Sequence, residues 1–208
     1  MTKLPRLYAI VDRRTLDARG NSVAEFAREL RDAGVRLLQY RDKSGSPQQI
    51  LAAAEEIARV FADVEDAALV MNDRADLALL AGWGVHVGQG DLSVTDAKRV
   101  VGERMVGVST HTDEQVLEAA ASAANYVAVG PVFTTSTKPD AEAVIGLEGV
   151  RRARALTSKS LVAIGGITMG NARSVIDAGA DAVAVISALL VEGKRPGEAA
   201  RDFLEILR

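Results

Sequence analysis

The sequence has 208 residues, of which 48% are hydrophobic and 25% are charged, with a formal net charge of −3 and no cysteine. This composition is ordinary for a folded globular protein, and the negative charge argues against a nucleic-acid-binding protein, which normally presents a basic surface. The lack of cysteine excludes disulfides and fits a cytoplasmic protein, and no apolar run is long enough for a signal peptide or a membrane span.

Eight short apolar segments have the composition of buried β-strands. They are rich in Val, Ile, Leu and Ala on both faces, which is typical of parallel strands that helices cover on both sides. The predicted strands span residues 7–12, 35–41, 67–73, 84–88, 105–109, 126–132, 161–166 and 182–187.

Segments with a helical period alternate with these strands. Residues 22–34, for example, place Val23, Phe26 and Leu30 at helical spacing and end in glycine. The predicted helices span residues 22–34, 46–62, 74–82, 93–102, 112–123, 147–156, 171–180 and 196–207.

This alternation predicts a single (β/α)8 TIM barrel, with residues 1–208 as one domain. A doubly wound open sheet is the alternative, but no GxGxxG motif follows the first strand. In a barrel of this type the C-terminal ends of the strands face one mouth, where active sites are built. The polar residues at the strand ends are therefore the candidates for a functional site.

Two aspartates at the ends of consecutive strands form a candidate metal site. Asp73 ends the third strand and Asp91 follows the fourth, and neighbouring strands lie about 4.8 Å apart, so both carboxylates could reach one ion. Mg²⁺ suits such a pair, because it takes one or two protein carboxylates and completes its shell with water and phosphate oxygens. The alternative is that each aspartate caps the helix that follows it.

Three cations are expected at the same mouth. Arg41 and Lys43 lie at the end of the second strand, and Lys138 follows the sixth. Arginine offers a bidentate fork to phosphate oxygens and lysine a mobile charge. Together with the aspartates, these cations predict a site for Mg²⁺ and a diphosphate, with one ion per site and the substrate as the partner of the cations. The alternative is that Arg41 and Lys43 pair with acids such as Asp42.

The last two strands suggest a second anion site. Gly165 and Gly166 follow the seventh strand, and Ile186 and Ser187 end the eighth. Barrels often bind a phosphate there on backbone N–H groups, and glycine allows the backbone to approach closely. The alternative is that the glycines serve only the turn.

The two histidines do not indicate a catalytic triad. His86 lies on a strand and is expected to be a hydrogen-bonded structural residue. His111 is close in sequence to Ser109, but no acid partner is evident for a nucleophile and base.

Seven motifs occur together in an order and at spacings that match a known family. They are QYRDK, MND, HVGQGD, GVSTH, GPVFTTSTKPD, IGGIT and VIS. Over essentially the whole chain the sequence resembles the thiamine phosphate synthase (thiamine-phosphate pyrophosphorylase) family. The resemblance implies a transferase of thiamine biosynthesis. It would use Mg²⁺ to join 4-amino-5-hydroxymethyl-2-methylpyrimidine diphosphate to 4-methyl-5-(2-phosphooxyethyl)thiazole, with thiamine phosphate and diphosphate as products.

The resemblance also implies a role for each residue at a matching position. The residues implied to hold the pyrimidine diphosphate are Gln39, Arg41, Lys43, Asn72 and Lys138, with Ser109 beside the pyrimidine. Asp73 and Asp91 would bind the Mg²⁺. The residues implied to bind the thiazole phosphate are Thr135, Thr137, Gly166, Ile186 and Ser187. The residues expected to take part in catalysis are Arg41, Lys43, Ser109 and Lys138.

Other functions are known to fit a barrel of this kind. A thiazole tautomerase should not need Lys43, Asp73, Asp91 and Lys138 together. A non-catalytic sensor of a phosphate ligand should have lost part of this set, and a general phosphosugar enzyme would leave the aspartate pair unused. We therefore predict a synthase with small-molecule substrates and no nucleic-acid or membrane partner, and leave open whether it forms homo-oligomers.

Overall fold

Eight parallel strands close into a barrel in their order along the chain, with the eighth pairing with the first. The computed structural model describes residues 4–135 and 143–208. The strands are β1 (Leu7–Asp12), β2 (Leu37–Arg41), β3 (Ala68–Asn72), β4 (Gly84–Val87), β5 (Val106–Thr110), β6 (Tyr126–Val129), β7 (Ser160–Ile164) and β8 (Ala182–Val185). The predicted barrel is confirmed. β6 is shorter than predicted and ends before Pro131, which has no N–H to donate to a neighbouring strand.

The helices follow the strands and pack outside the barrel. Within the described ranges they are α1 (Arg13–Asp17), α2 (Val23–Ala33), α3 (Pro47–Val60), α4 (Ala75–Ala81), α5 (Val94–Val101), α6 (Asp113–Ala121), α7 (Gly146–Leu156), α8 (Ala172–Asp177) and α9 (Pro196–Ile206). All eight predicted helices are present. The sequence periodicity does not reveal α1 or the 3-10 helix Ser187–Leu189, because five and three residues are too few to show a helical repeat. None of the helices described is long and apolar enough to cross a membrane.

Side chains that alternate along each strand form two separate cores. The inner core fills the barrel and is formed by Leu4, Tyr8, Ile10, Leu37, Val70, Tyr126, Ala128, Val162, Ala182 and Ala184. The outer core, between barrel and helices, contains Leu38 and Tyr40 of β2 and also Trp83. Because successive residues of a strand point to opposite faces, Gln39 and Arg41 lie on the inner face of β2, toward the mouth.

Gly107 in β5 leaves room for the ring of Tyr126 inside the barrel. The two residues are register partners on neighbouring strands. A Cβ added to Gly107 would lie 1.9 Å from the nearest ring carbon of Tyr126. The ring is completely buried, and a close-packed interior offers it little space to move. The glycine is therefore required by packing rather than by a turn.

We expect Gly107→Ala to destabilise the fold by about 1–3 kcal/mol, because the added methyl group overpacks the barrel interior. The measurement is the free energy of unfolding in urea. Gly170→Ala is the matched control, since its added Cβ would have no atom closer than 3.9 Å. Equal unfolding free energies for the two variants would contradict the packing role of Gly107.

Candidate active site

Arg41 at the end of β2 pairs with Asp12 at the end of β1. The two residues are register partners, and Arg41 Nη1 lies 2.5 Å from Asp12 Oδ2. Asp12 is only 3% exposed, and its Oδ1 accepts hydrogen bonds from the backbone N–H and the hydroxyl of Thr15. A protein carboxylate therefore already pairs with Arg41, and the predicted contact of this cation with the substrate stays a prediction. Sequence reasoning missed Asp12, although its place as the last residue of β1 was a usable signal.

Asp42 belongs to the turn after β2 and not to the mouth. Its Oδ1 accepts the N–H groups of Ser44 and Gly45 at 3.0 and 2.8 Å, and its Oδ2 accepts the hydroxyl of Tyr40 at 3.3 Å. Burial alone would raise the pKa of Asp42, but these hydrogen bonds lower it below its usual value. The alternative in which acids pair with Arg41 and Lys43 is thus confirmed, but the acids are Asp12 and Asp73 rather than Asp42.

Lys43 forms an ion pair with Asp73, the residue that follows β3. Asp73 has a φ of 61°, and it is the one non-glycine residue with positive φ in the described part of the chain. Its N–H donates to the carbonyl of His86 at 2.7 Å. Left-handed backbone at a residue other than glycine is uncommon and occurs preferentially at functional sites. Backbone and ion pair together hold this carboxylate at the mouth.

The carboxyl group of Asp91 lies beside that of Asp73. Burial and the neighbouring Asp73 raise the pKa of Asp91, against the lowering effects of the Gly88 N–H and of Lys43. The Gly88 N–H donates to Asp91 Oδ2 at 2.8 Å. Neither aspartate caps a helix, because α4 has no side-chain cap and Ser93 caps α5. The structure thus brings the two aspartates together, and the capping alternative is wrong.

These two carboxylates are the acidic groups that could hold a metal at the mouth. No group of three or more His, Cys, Asp or Glu side chains with such geometry occurs in residues 4–135 and 143–208. Two crowded carboxylates, one with a raised pKa, form a donor set that a divalent cation would neutralise. The set fits Mg²⁺, which needs few protein ligands when phosphate oxygens complete its shell.

Asn72 presents an unpaired amide near the aspartates. Its Nδ2 atom is buried and has no hydrogen-bond partner among the residues described. A buried donor without a partner costs about 1–3 kcal/mol. Such a cost is expected where a ligand supplies the acceptor.

Five polar side chains form a continuous hydrogen-bonded chain inside the barrel, which we name the interior relay. Gln39 Nε2 donates to Tyr8 Oη at 2.9 Å, and the Tyr8 and Tyr126 hydroxyl oxygens are 2.8 Å apart. His86 Nδ1 lies 2.9 Å from Tyr126 Oη, and His86 Nε2 lies 2.8 Å from Ser109 Oγ. The imidazole also stacks on the Tyr126 ring at a centroid distance of 5.6 Å. The relay therefore joins the predicted pyrimidine-binding residues Gln39 and Ser109.

Within residues 4–135 and 143–208 the hydrogen bonds of the histidines do not form a catalytic triad. Nδ1 of His86 faces the phenol of Tyr126 rather than a carboxylate, so the Ser109–His86 contact lacks the acid that a triad requires. Nδ1 of His111 donates to the carbonyl of Gly130 at 2.7 Å. His86 is thus hydrogen-bonded within the barrel, as predicted from its place on a strand.

A cavity of about 990 Å³ opens beside the ends of β5 to β8. The predicted site residues on its wall are Ser109, Thr135, Gly166, Ile186 and Ser187. The ion pairs of Arg41 and Lys43 lie at the ends of β1 to β3, on the other half of the mouth. Thr137 and Lys138 lie outside the described residues.

Gly165 and Gly166 at the edge of this cavity have a packing role. Both have positive φ, of 100° and 64°. A Cβ on Gly165 would lie 2.6 Å from Pro131, and one on Gly166 would lie 2.5 Å from the carbonyl oxygen of Thr134. The glycines therefore let the segment after β6 pack on the turn after β7, whatever binds in the cavity.

The whole barrel matches a known family. Residues 7–189 match the sequence profile described as thiamine monophosphate synthase. The chain belongs to this family. It is 52% identical over 209 residues to a thiamine-phosphate synthase of Koribacter versatilis, covering 99% of this chain and 97% of the relative. A thiamine-phosphate synthase of Chloroflexus aurantiacus is 42% identical over 186 residues, covering 89% of this chain and 85% of that relative.

A solved structure agrees with the family assignment. A thiamine phosphate pyrophosphorylase from Pyrococcus furiosus superimposes with a TM-score of 0.86 at 31% sequence identity, covering 98% of this chain and 95% of that chain. The family resemblance predicted from the seven motifs is therefore confirmed. The roles of the individual site residues stay predictions.

We expect Asp12→Asn to lower the free energy of unfolding by about 3 kcal/mol, because it leaves the guanidinium of Arg41 half-buried without a counter-charge. The measurement is denaturant unfolding at neutral pH. Asp17→Asn removes the same type of partner from Arg13 in an exposed pair, at 43% and 54% exposure, and should cost about 0–1 kcal/mol. Equal losses for the two variants would show that Asp12 does not compensate a buried charge.

Proposed function

We propose that the protein is a thiamine-phosphate synthase that joins an aminopyrimidine-methyl diphosphate to a thiazole phosphate in thiamine biosynthesis. One observation carries the proposal, namely the arrangement of charges at the mouth. The cations and the aspartate pair lie at the ends of β1 to β4, and the cavity with the glycine pair and the 3-10 helix lies at the ends of β5 to β8. The two halves suit two phosphorylated substrates bound side by side.

The first half of the mouth would bind the pyrimidine diphosphate. Arg41 and Lys43 are held in place by Asp12 and Asp73, and each has further donors for phosphate oxygens. The unpaired amide of Asn72 would donate to the same ligand. These groups would stabilise the negative charge that builds on the departing diphosphate, with Lys138 in the same role.

Asp73 and Asp91 are the residues that would hold one Mg²⁺. The bound ion would supply additional positive charge for the oxygens of the leaving group. The ammonium of Lys43 would remain close to both aspartates and would limit the net negative charge of the metal site.

The second half of the mouth would bind the thiazole phosphate. Gly166, Ile186 and Ser187 line the cavity, and Ser187 begins the 3-10 helix. Backbone N–H groups at this place in a barrel commonly bind a phosphate. Thr135 lines the same cavity, and Thr137 follows two residues later in the sequence.

The reaction breaks one bond and forms another. The bond between the pyrimidine methylene carbon and the diphosphate oxygen breaks, and its electron pair leaves with the diphosphate. The lone pair of the thiazole nitrogen then forms the new carbon–nitrogen bond. The amino group of the pyrimidine can stabilise the positive charge on the methylene, so no protein nucleophile is needed. This agrees with the part of the chain that the structure describes, where neither Ser109 nor His111 belongs to a triad.

The purified protein should form thiamine phosphate from both substrates in the presence of Mg²⁺. The measurement is thiochrome fluorescence after oxidation of the product. A folded protein that gives no product above a no-enzyme control would overturn the proposal. Isomerisation of a thiazole phosphate without condensation would favour the tautomerase alternative.

We expect Asp91→Asn to lower kcat at least about tenfold and to raise the Mg²⁺ concentration needed for half-maximal rate, because the variant loses one of two anionic metal ligands. The measurement is the rate as a function of Mg²⁺. Asp96→Asn is the control, because Asp96 lies on the exposed side of α5 and pairs with Arg99. An unchanged Mg²⁺ dependence in Asp91→Asn would contradict the metal role of Asp91.

The proposed activity does not determine the cellular location or the oligomeric state of the protein. The cytoplasmic location rests on the cysteine-free sequence alone and stays a prediction. Each substrate contact proposed above is made by residues of one chain, so the proposal does not depend on an oligomer.

A further inference from the structure

The interior relay crosses the barrel and ends at two residues of the proposed pyrimidine site. Gln39 on β2 and Ser109 on β5 lie at its ends, and Tyr8, Tyr126 and His86 connect them through the inner core. Tyr8 is 1% exposed, Tyr126 is 0% exposed and His86 is 8% exposed. Polar groups buried this deeply need hydrogen-bond partners.

The direction of each hydrogen bond in the relay follows from the first. Gln39 donates from Nε2, so the oxygen of Tyr8 is an acceptor there. In the residues described, the other partner of the Tyr8 hydroxyl is Tyr126, so the Tyr8 hydrogen must point to Tyr126. The opposite direction would bury the Tyr8 hydrogen without an acceptor, at a cost of about 1–3 kcal/mol.

The same reasoning continues through Tyr126 to His86. Burial raises the pKa of Tyr8 and of Tyr126 far above the usual value, so both phenols keep their hydrogens. Tyr126 accepts from Tyr8 and therefore donates to Nδ1 of His86. With Nδ1 as an acceptor, the neutral imidazole carries its hydrogen on Nε2, and Nε2 donates to Ser109 Oγ. The hydrogen of the Ser109 hydroxyl is then left for the cavity that Ser109 lines.

We propose that the interior relay makes Ser109 a hydrogen-bond donor toward the substrate ring, while the amide oxygen of Gln39 remains an acceptor. This pair of one donor and one acceptor selects an aminopyrimidine over an oxopyrimidine. The inference rests on the proposed function. An aminopyrimidine offers an unprotonated ring nitrogen and an amino donor, which match these two groups. A 4-oxopyrimidine carries a hydrogen on that nitrogen and an acceptor oxygen in place of the amine, so both contacts become mismatched. Tyr8, Tyr126 and His86 are accordingly positioning residues, which act through Gln39 and Ser109.

The tautomer of His86 tests the relay in the substrate-free protein. The sequence has two histidines, and Nδ1 of His111 must carry a hydrogen because it faces a carbonyl. The ¹⁵N spectrum of histidine-labelled protein should therefore show opposite tautomers, and a His111→Gln variant identifies the His86 signals. Tyr126→Phe should abolish the fixed Nε2–H form. Tyr40→Phe is the matched control, because it removes a buried hydroxyl that bonds to Asp42 outside the relay.

Substrate selectivity tests the consequence of the polarity. The measurement is the ratio of kcat/KM for the aminopyrimidine diphosphate to kcat/KM for its 4-oxo analogue. We expect the ratio to fall at least about tenfold in Tyr126→Phe and in Tyr8→Phe, and to stay unchanged in Tyr40→Phe. Tyr8→Phe provides the test if Tyr126→Phe fails to fold.

Three results would overturn the inference. The first is a hydrogen on Nδ1 of His86 in the wild-type protein. The second is an unchanged His86 tautomer in both Tyr126→Phe and Tyr8→Phe. The third is an equal loss of kcat/KM for the aminopyrimidine diphosphate and for its 4-oxo analogue. Absence of synthase activity in the wild-type protein would instead overturn the proposed function and the selectivity, while the His86 spectrum would still decide the direction of the relay.

Discussion

Closure of eight parallel strands is the constraint from which the site follows. Each strand pairs with the next in chain order, and β8 pairs with β1, so every strand delivers its last residues to the same mouth. Asp12 and Arg41 meet because they are register partners at the ends of β1 and β2. Asp73 meets Asp91 because β3 and β4 are neighbours in the same closed sheet. The site needs no long loop to gather these charges.

The charges at the mouth are compensated within the protein. Asp12 neutralises Arg41, and Asp73 shares Lys43 with the nearby Asp91. A buried or half-buried charge is costly unless it is paired, so these acids allow the cations to be held in a fixed position inside the fold. A diphosphate and its metal ion could then enter as a nearly matched set of opposite charges, with little change in the net charge of the mouth.

The sequence predicted the barrel well because each strand and helix carries its own local pattern. The period of two in LLQYR also placed Gln39 on one face and Tyr40 on the other. In the structure Tyr40 lies in the outer core, and Gln39 donates to Tyr8 of the inner core. The pairing of Arg41 with Asp12 and the interior relay were not predicted, since they depend on which strands neighbour each other and on their register. Gly107 shows the same limit, because its reason lies in a ring on the adjacent strand.

The inner core explains why polar groups can occupy the centre of this barrel. The interior combines apolar residues such as Leu37 and Val162 with the relay. A buried polar group is tolerated only when it is hydrogen-bonded. The relay meets this condition because each of its groups donates a hydrogen bond to the next, from Gln39 to Ser109. Its last hydrogen, that of the Ser109 hydroxyl, has no acceptor among the hydrogen bonds of the residues described, and Ser109 lies at the cavity wall. The ligand that binds there therefore meets a polarity that the fold has already set.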